Sequence, residues 1–123
     1  MSRPIKERNV CSLPRVNRFG PLNASQRKDS IIMTVDEYET LRLIDFEGLK
    51  QEECAAQMKV ARTTVQGIYT RARKKMAEAL VHGNILMIEG GEYEICDGLF
   101  DCGRACMRRR RGGRRHREAN QEK

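Results

Sequence analysis

The run Gly48–Met76, GLKQEECAAQMKVARTTVQGIYTRARKKM, constrains this chain more than any other stretch. Gly48 ends one amphipathic segment and Leu49 anchors the next, where small Cys54, Ala55 and Ala56 let a short helix lie close against a neighbour until Met58 closes it. Cys54 falls on the packed side as a small core residue. After a tight break at Lys59-Val60 the chain restarts at Ala61. Val65, Ile68, Tyr69, Ala72, Met76, Ala79 and Leu80 then recur at intervals of three and four, the period of an amphipathic helix. The opposite face carries Arg62, Thr63, Gln66, Thr70, Arg71, Arg73 and Lys74. A short helix, a tight break and a longer helix with a polar opening turn and a basic flank make the pattern of a helix-turn-helix.

The flanking segments read less sharply. Residues 1–33 hold Pro4, Pro14 and Pro21, with Val10, Leu13, Phe19 and Leu22 as isolated apolar points, so an extended basic N-terminal arm partly pinned to the core is expected. Ile31–Met33 suits a short strand. Thr34 and Glu37 have the spacing of a capping box, from which a helix should run to about Phe46 with Val35, Tyr38, Leu41 and Ile44 on its packed face. Past His82-Gly83, Ile85–Ile88 and Tyr93–Ile95 flank Gly90-Gly91, which reads as a β-hairpin over 85–95 with a type I′ turn. A lone hairpin is marginal in water and must pack on the helices or on a second copy. Residues 96–123 form a Cys- and Arg-rich tail, expected to be largely disordered from Arg108 onward. The fold class expected is mainly α: one helix-turn-helix domain over 34–95, a short hairpin and basic arms.

At 123 residues and 39% hydrophobic content, the chain suits one small core and leaves little room for a large catalytic pocket, so no enzyme is expected. No apolar stretch approaches the roughly 20 residues of a membrane span, and the N-terminus lacks the apolar segment of a signal peptide, which points to the cytoplasm without membrane contact. The net charge of +7 is uneven. Residues 1–33 carry seven Lys/Arg against two Asp/Glu, 34–95 carry eight against eleven, and 96–123 carry nine against four. Within the body, Arg62–Lys75 holds five bases and no acid. Positive charge therefore gathers on the second motif helix and the two ends, as suits a partner of a polyanion.

Double-stranded DNA is the partner these residues imply. With the second helix in the major groove, Arg62 can fork onto guanine, Gln66 can pair with adenine, and Thr63 or Thr64 can meet thymine methyls. Arg71, Arg73 and Lys74, with Lys50 and Gln51 on the preceding helix, fall where phosphates would fix the register. Arg108–Arg111 and Arg114–Arg117 can tether nonspecifically. Aromatic residues are too scattered for a base-stacking platform. One reading helix covers only a short half-site, so a homodimer is the economical arrangement, with Leu80, Ile85 and Met87 as interface candidates.

Five cysteines without an export signal argue for reduced thiols or metal ligands. Cys96, Cys102 and Cys106 lie close in sequence, and with Cys11, His116, Asp97 or Asp101 as a fourth ligand could hold zinc or an iron–sulfur cluster, though the spacing matches no strong signature.

The Gly48–Met76 pattern resembles the DNA-reading domain at the C-terminus of bacterial sigma factors. A closer resemblance is to the prokaryotic family of predicted DNA-binding proteins described as domain of unknown function 134. It is carried by Arg3-Pro4, Val10-Cys11 with Pro14, Phe19-Gly20-Pro21, MTVDEYETLRLIDFEGLKQEECA from Met33, ARTTVQGIY from Ala61, ARKKMAEALVHG from Ala72 and IEGGEY from Ile88, covering about 1–95. The resemblance implies a DNA-binding helix-turn-helix and a transcriptional regulator. Two positions depart from the broader motif, which often has Gly in the break and Ser as the cap of the reading helix. Here they are Lys59 and Ala61. A left-handed Lys59 carries a steric cost that Gly avoids, and Ala61 forgoes a cap worth about 1 kcal/mol. Two alternatives stay open: an RNA-binding accessory protein, and a metal- or redox-responsive interaction protein using the Cys-rich tail.

Overall fold

A computed structural model of the chain describes residues 7–23 and 29–96. The elements run β1 (Arg8–Val10), β2 (Arg18–Phe19), β3 (Ser30–Met33), α1 (Val35–Leu41), α2 (Gln51–Met58), α3 (Arg62–His82), β4 (Ile85–Ile88) and β5 (Tyr93–Ile95). A π-helical turn over Arg42–Phe46 prolongs α1. Helix predominates, as expected.

The helix boundaries follow from local chemistry. Thr34 and Glu37 cap α1 reciprocally: the Thr34 N–H donates to Glu37 Oε1 at 2.9 Å and the Glu37 N–H to Thr34 Oγ1 at 3.4 Å. After the π-turn, Gly48 at φ +84° lets the Leu49 N–H reach back to the Leu43 carbonyl at 2.9 Å. At the end of α3, Gly83 at φ +70° allows its own N–H and that of Asn84 both to donate to the Ala79 carbonyl, at 2.8 and 3.1 Å. This double closure is how a left-handed residue satisfies the last carbonyls of a helix.

The expected hairpin over 85–95 does not form. β4 is the middle strand of a three-stranded sheet, antiparallel to β2 (Arg18 opposite Met87) and parallel to β3 (Ser30 opposite Ile85). Both its edges are therefore taken. β5 pairs instead with β1, in parallel, with Val10 opposite Ile95. Gly90-Gly91 carries the chain between the two sheets across the start of α1, where the Val35 N–H donates to the Gly90 carbonyl at 2.9 Å. A Cβ on Gly91 would sit 2.5 Å from Asp36 Oδ1 and 2.7 Å from Thr34 Cβ. The glycine serves close backbone approach rather than a I′ turn.

The short strand at Ile31–Met33 is present as part of β3. Within 1–33, expected as an arm pinned at isolated points, the described residues 8–23 and 29–33 supply three strands, and both sheets depend on them. They cannot be separated from the core. Asn9, Val10 and Cys11 are buried to 3%, 0% and 3% exposure.

Two apolar clusters result. Val10, Met33, Val35, Ala72, Leu86 and Ile88 fill the space between sheets, α1 and α3. Leu43, Cys54, Ala55, Met58 and Val65 lock α2 against the π-turn and the start of α3. Complete burial of a side chain such as Leu43 or Met58 contributes about 1.5–3 kcal/mol.

Candidate nucleic-acid interface

The corner between α2 and α3 is built from the second cluster. Cys54, with no exposed surface, and Ala55 are small enough for α2 to lie against Val65 and Leu43. Burial pushes the Cys54 thiol up to about 12, with Glu39 adding to the rise and Arg42 opposing it, so it is an inert apolar filler. The corner turns at Lys59, which adopts the left-handed conformation at φ +61°, the one non-glycine residue with positive φ among those described. Its N–H donates to the Ala56 carbonyl at 3.3 Å, and the Val60 N–H to the Ala55 carbonyl at 3.0 Å. Ala61 precedes α3 in an extended conformation with no side-chain cap.

This geometry presents the N-terminal turns of α3. Arg62, Thr63 and Gln66 are exposed, and Thr64 is half-buried against the turn. Lys50 is exposed at the cap of α2, its N–H donating to Glu53 Oε1 at 2.8 Å, and Gln51 is half-buried beside it. These six residues lie on the two helices that meet at the corner. Further along α3 the basic residues divide. Lys74 is exposed, but Arg71 Nε reaches Glu37 Oε2 at 3.4 Å, and Lys75 Nζ reaches Glu37 Oε1 at 2.7 Å. Arg73 lies 3.9 Å from Asp45 Oδ2 and 5.4 Å from the centre of the Tyr69 ring. The acids of α1 and the π-turn thus hold three of the five bases counted on this helix.

Tyr69, on the apolar stripe of α3, is half-buried, and its hydroxyl donates to Asp45 Oδ1 at 2.8 Å. Burial and the Asp45 carboxylate both raise its pKa, against the opposing pull of Arg73. Thus Tyr69, Arg73 and Asp45 tie the exposed edge of α3 to the π-turn.

Sequence reading missed the polar network behind the corner. Glu39, with no exposed surface, accepts from Arg42 Nε and Nη2 at 2.9 Å each and from the Cys11 N–H at 3.1 Å. Cys11 Sγ accepts from Arg42 Nη2 at 3.2 Å and from Gln57 Nε2 at 3.3 Å, while Asn9 Nδ2 donates to the Gln57 carbonyl at 3.0 Å. Burial disfavours the Arg42 charge, but Glu39, Cys11 and Glu47 more than compensate and raise its pKa. The network joins β1, α1 and α2, and so sets where α2 presents the start of α3. No local signal marks Glu39 in so acidic a stretch. Arg8 was also passed over: with Lys59 and Thr64 it lines a hollow of about 450 Å³ beside the turn, and its Nε lies 3.8 Å from Asp36 Oδ2.

The interface candidates at the other end of the molecule are dispersed. Ile85 and Met87 are half-buried in the central strand, and Leu80 is 77% exposed on α3. Of the proposed metal ligands, Cys11 and Cys96 pack together, buried, while Cys102, Cys106 and the arginine-rich tail lie outside the described residues. Cys96 is disulfide-bonded, which corrects the expectation of reduced thiols at that position, whereas Cys11 and Cys54 are thiols. A sulfur in a disulfide has no thiolate to offer a metal. Among the described residues no group of three or more His, Cys, Asp or Glu side chains is arranged to hold a metal ion. Nor is any described helix long and apolar enough to cross a membrane.

Fold and site together define a small, mainly helical protein with a mixed β scaffold and a polar, basic edge where a short helix meets a long one. The chain belongs to the family described as protein of unknown function DUF134, whose model matches residues 1–96. It is 63% identical over 113 residues to a UPF0251 protein of Desulfitobacterium hafniense (strain Y51), covering 90% of each chain. Over 102 residues it is 48% identical to a UPF0251 protein of Caldicellulosiruptor bescii, covering 83% of this chain and 71% of the relative. Another UPF0251 protein, of Caldanaerobacter subterraneus subsp. tengcongensis, is 46% identical over 113 residues, covering 91% and 95%. No solved structure gives a significant match.

Proposed function

We propose that α2 and α3 act as a sigma-factor-like helix-turn-helix and that the protein is a cytoplasmic transcriptional regulator binding double-stranded DNA. The observation that carries this reading is the joint exposure of Arg62, Thr63 and Gln66 on the first turns of a helix whose opposite face, at Val65 and Ile68, is fully buried. That division leaves long, hydrogen-bonding side chains on a rigid support, as base reading in a major groove requires. Lys50, Gln51 and Lys74 flank them as phosphate contacts. Arg71 and Arg73 can join only by exchanging intramolecular carboxylates for phosphates. Selection of bound fragments from a random duplex library tests the reading: a recovered motif supports it, and equal retention of all sequences refutes it. Structured RNA outcompeting that duplex at equal salt would favour the RNA-binding alternative.

The packing of Cys11 against the disulfide-bonded Cys96 favours a second reading, in which a redox signal reaches the corner through Cys11 and its Arg42–Gln57 contacts. Thiol titration of anaerobically purified and of oxidised protein tests it. A homodimer remains part of the proposal, because one reading helix contacts a short half-site. Light scattering giving a mass near 14.2 kDa, both free and per DNA-bound unit, would remove it.

A further inference from the structure

A groove of about 760 Å³ runs between the C-terminal half of α3, the α1–π-turn segment and the three-stranded sheet. Met33, Leu86 and Ile88 contribute to its lining from the core side, with 1%, 6% and 5% exposure. Phe19, Phe46 and Leu80 stand at its mouth, at 49%, 81% and 77%. Large apolar side chains gathered around one concavity differ from the scattered hydrophobic residues of an ordinary surface. The volume lies within the roughly 300–1,000 Å³ typical of small-molecule sites, which combine apolar walls with a few placed polar groups.

Those polar groups give the groove a sign. The Arg42 guanidinium is already engaged by Glu39 at 2.9 Å and Glu47 at 3.2 Å. Among the described residues, Asp45 is opposed only by an exposed Arg73 at 3.9 Å, beyond its hydrogen bond from Tyr69. Counting Arg42 and Asp45 with these described partners, two bases stand against three carboxylates, an excess of one negative charge. Asp45 and Phe46 both stand on the π-turn, where the Glu47 N–H bonds the Arg42 carbonyl five residues back at 2.8 Å. Such widened turns recur at functional sites.

We propose that this groove is a binding site for a small aromatic cation, its rings lying on Leu86 and Ile88 between Phe46 and Leu80 and its amine facing Asp45. The site stands apart from the nucleic-acid reading and does not rest on it.

Fluorescence anisotropy of full-length protein with the cationic dye rhodamine 6G, against the anionic dye 8-anilinonaphthalene-1-sulfonate, tests the proposal. Saturable binding of the cation in preference to the anion is expected. Leu80→Arg, at an exposed position that leaves the core intact, should weaken the cation roughly tenfold, the factor that corresponds to 1.4 kcal/mol. Ala79→Phe, which fills the groove, should do the same. Asp45→Asn should reduce the preference for the cation without weakening the anion. Absence of cation binding, equal binding by the Leu80→Arg protein, or preference for the anion would each overturn the site. A wild-type dimer that Leu80→Arg converts to monomer would overturn it too, by placing a second copy of the chain in the groove.

Discussion

The Arg42 guanidinium forks onto both carboxylate oxygens of Glu39, with Nε to Oε1 and Nη2 to Oε2 each at 2.9 Å, and Glu39 has no solvent exposure. Removing one partner leaves the other charge buried without compensation. Arg42→Met should therefore lower unfolding free energy by about 3–5 kcal/mol, whereas exchanging both partners for apolar residues of similar volume should recover much of the loss. Urea denaturation of the single and double variants measures the difference. A single-variant loss under about 1 kcal/mol would show that the pair is solvated rather than sealed.

Acid stability should depend on Glu37. Burial pushes its carboxyl up, but the Lys75 ammonium and the Thr34 backbone and side chain outweigh that effect and hold it below the ordinary value. Because the folded pKa is lower than the unfolded one, the contribution is fully present above the unfolded value of about 4.3 and is lost as pH falls through the folded pKa. Glu37→Gln should flatten the stability profile on the acid side of that value. Thermal melts from pH 7 down to pH 3 would check it, and an unchanged acid slope would count against the linkage.

Lys59 is held at φ +61°. A left-handed L-residue costs about 1–2 kcal/mol, while glycine adds about 0.4–1 kcal/mol of unfolded-state entropy to be lost. Lys59→Gly should thus raise stability by roughly 0.5–1 kcal/mol, a modest but measurable shift in the denaturation midpoint. A decrease would mean that the lysine side chain contributes more than the strain costs.

Arg62 and Gln66 lie one turn apart on exposed α3. If they read bases, replacing either by Ala should weaken a selected duplex by about 1–3 kcal/mol and leave random duplex much less affected. Titration of both DNAs at one salt concentration decides this, and equal losses would assign the side chains to the backbone instead.

Asp45 restrains Arg73 and Tyr69. Asp45→Asn should free Arg73 for phosphate, raise random-duplex affinity at low salt and steepen the slope of log K against log salt by about 0.9 for one added contact. An unchanged slope would show that Arg73 does not reach the DNA.

Helix α1, its capping box, the break near Lys59 and the period of α3 were legible from local pattern, because caps, glycines and three/four spacing act over a few residues. The exposed group Arg62, Thr63 and Gln66 was legible for the same reason, since the face opposite an apolar stripe must face outward. Tyr69 misled because its place in the stripe fixed the direction of the ring but not of the hydroxyl, which Asp45 draws outward.

The sequence by itself determined the three helices, their turns and which face of α3 is polar. Only the tertiary structure decided the strand partners, the buried Glu39–Arg42–Cys11–Gln57 network and the pairing of Arg71, Arg73 and Lys75 with acids on α1 and the π-turn. Ile85–Ile88 and Tyr93–Ile95 looked like a hairpin because strand propensity carries no information about which edge is already occupied. β2 and β3 fill both edges of β4, so β5 must find β1, and Gly91 is small enough to let the chain cross between them over Thr34 and Asp36. Pairing of this kind is set by competition among segments distant in sequence, and it is settled only when all of them are packed together.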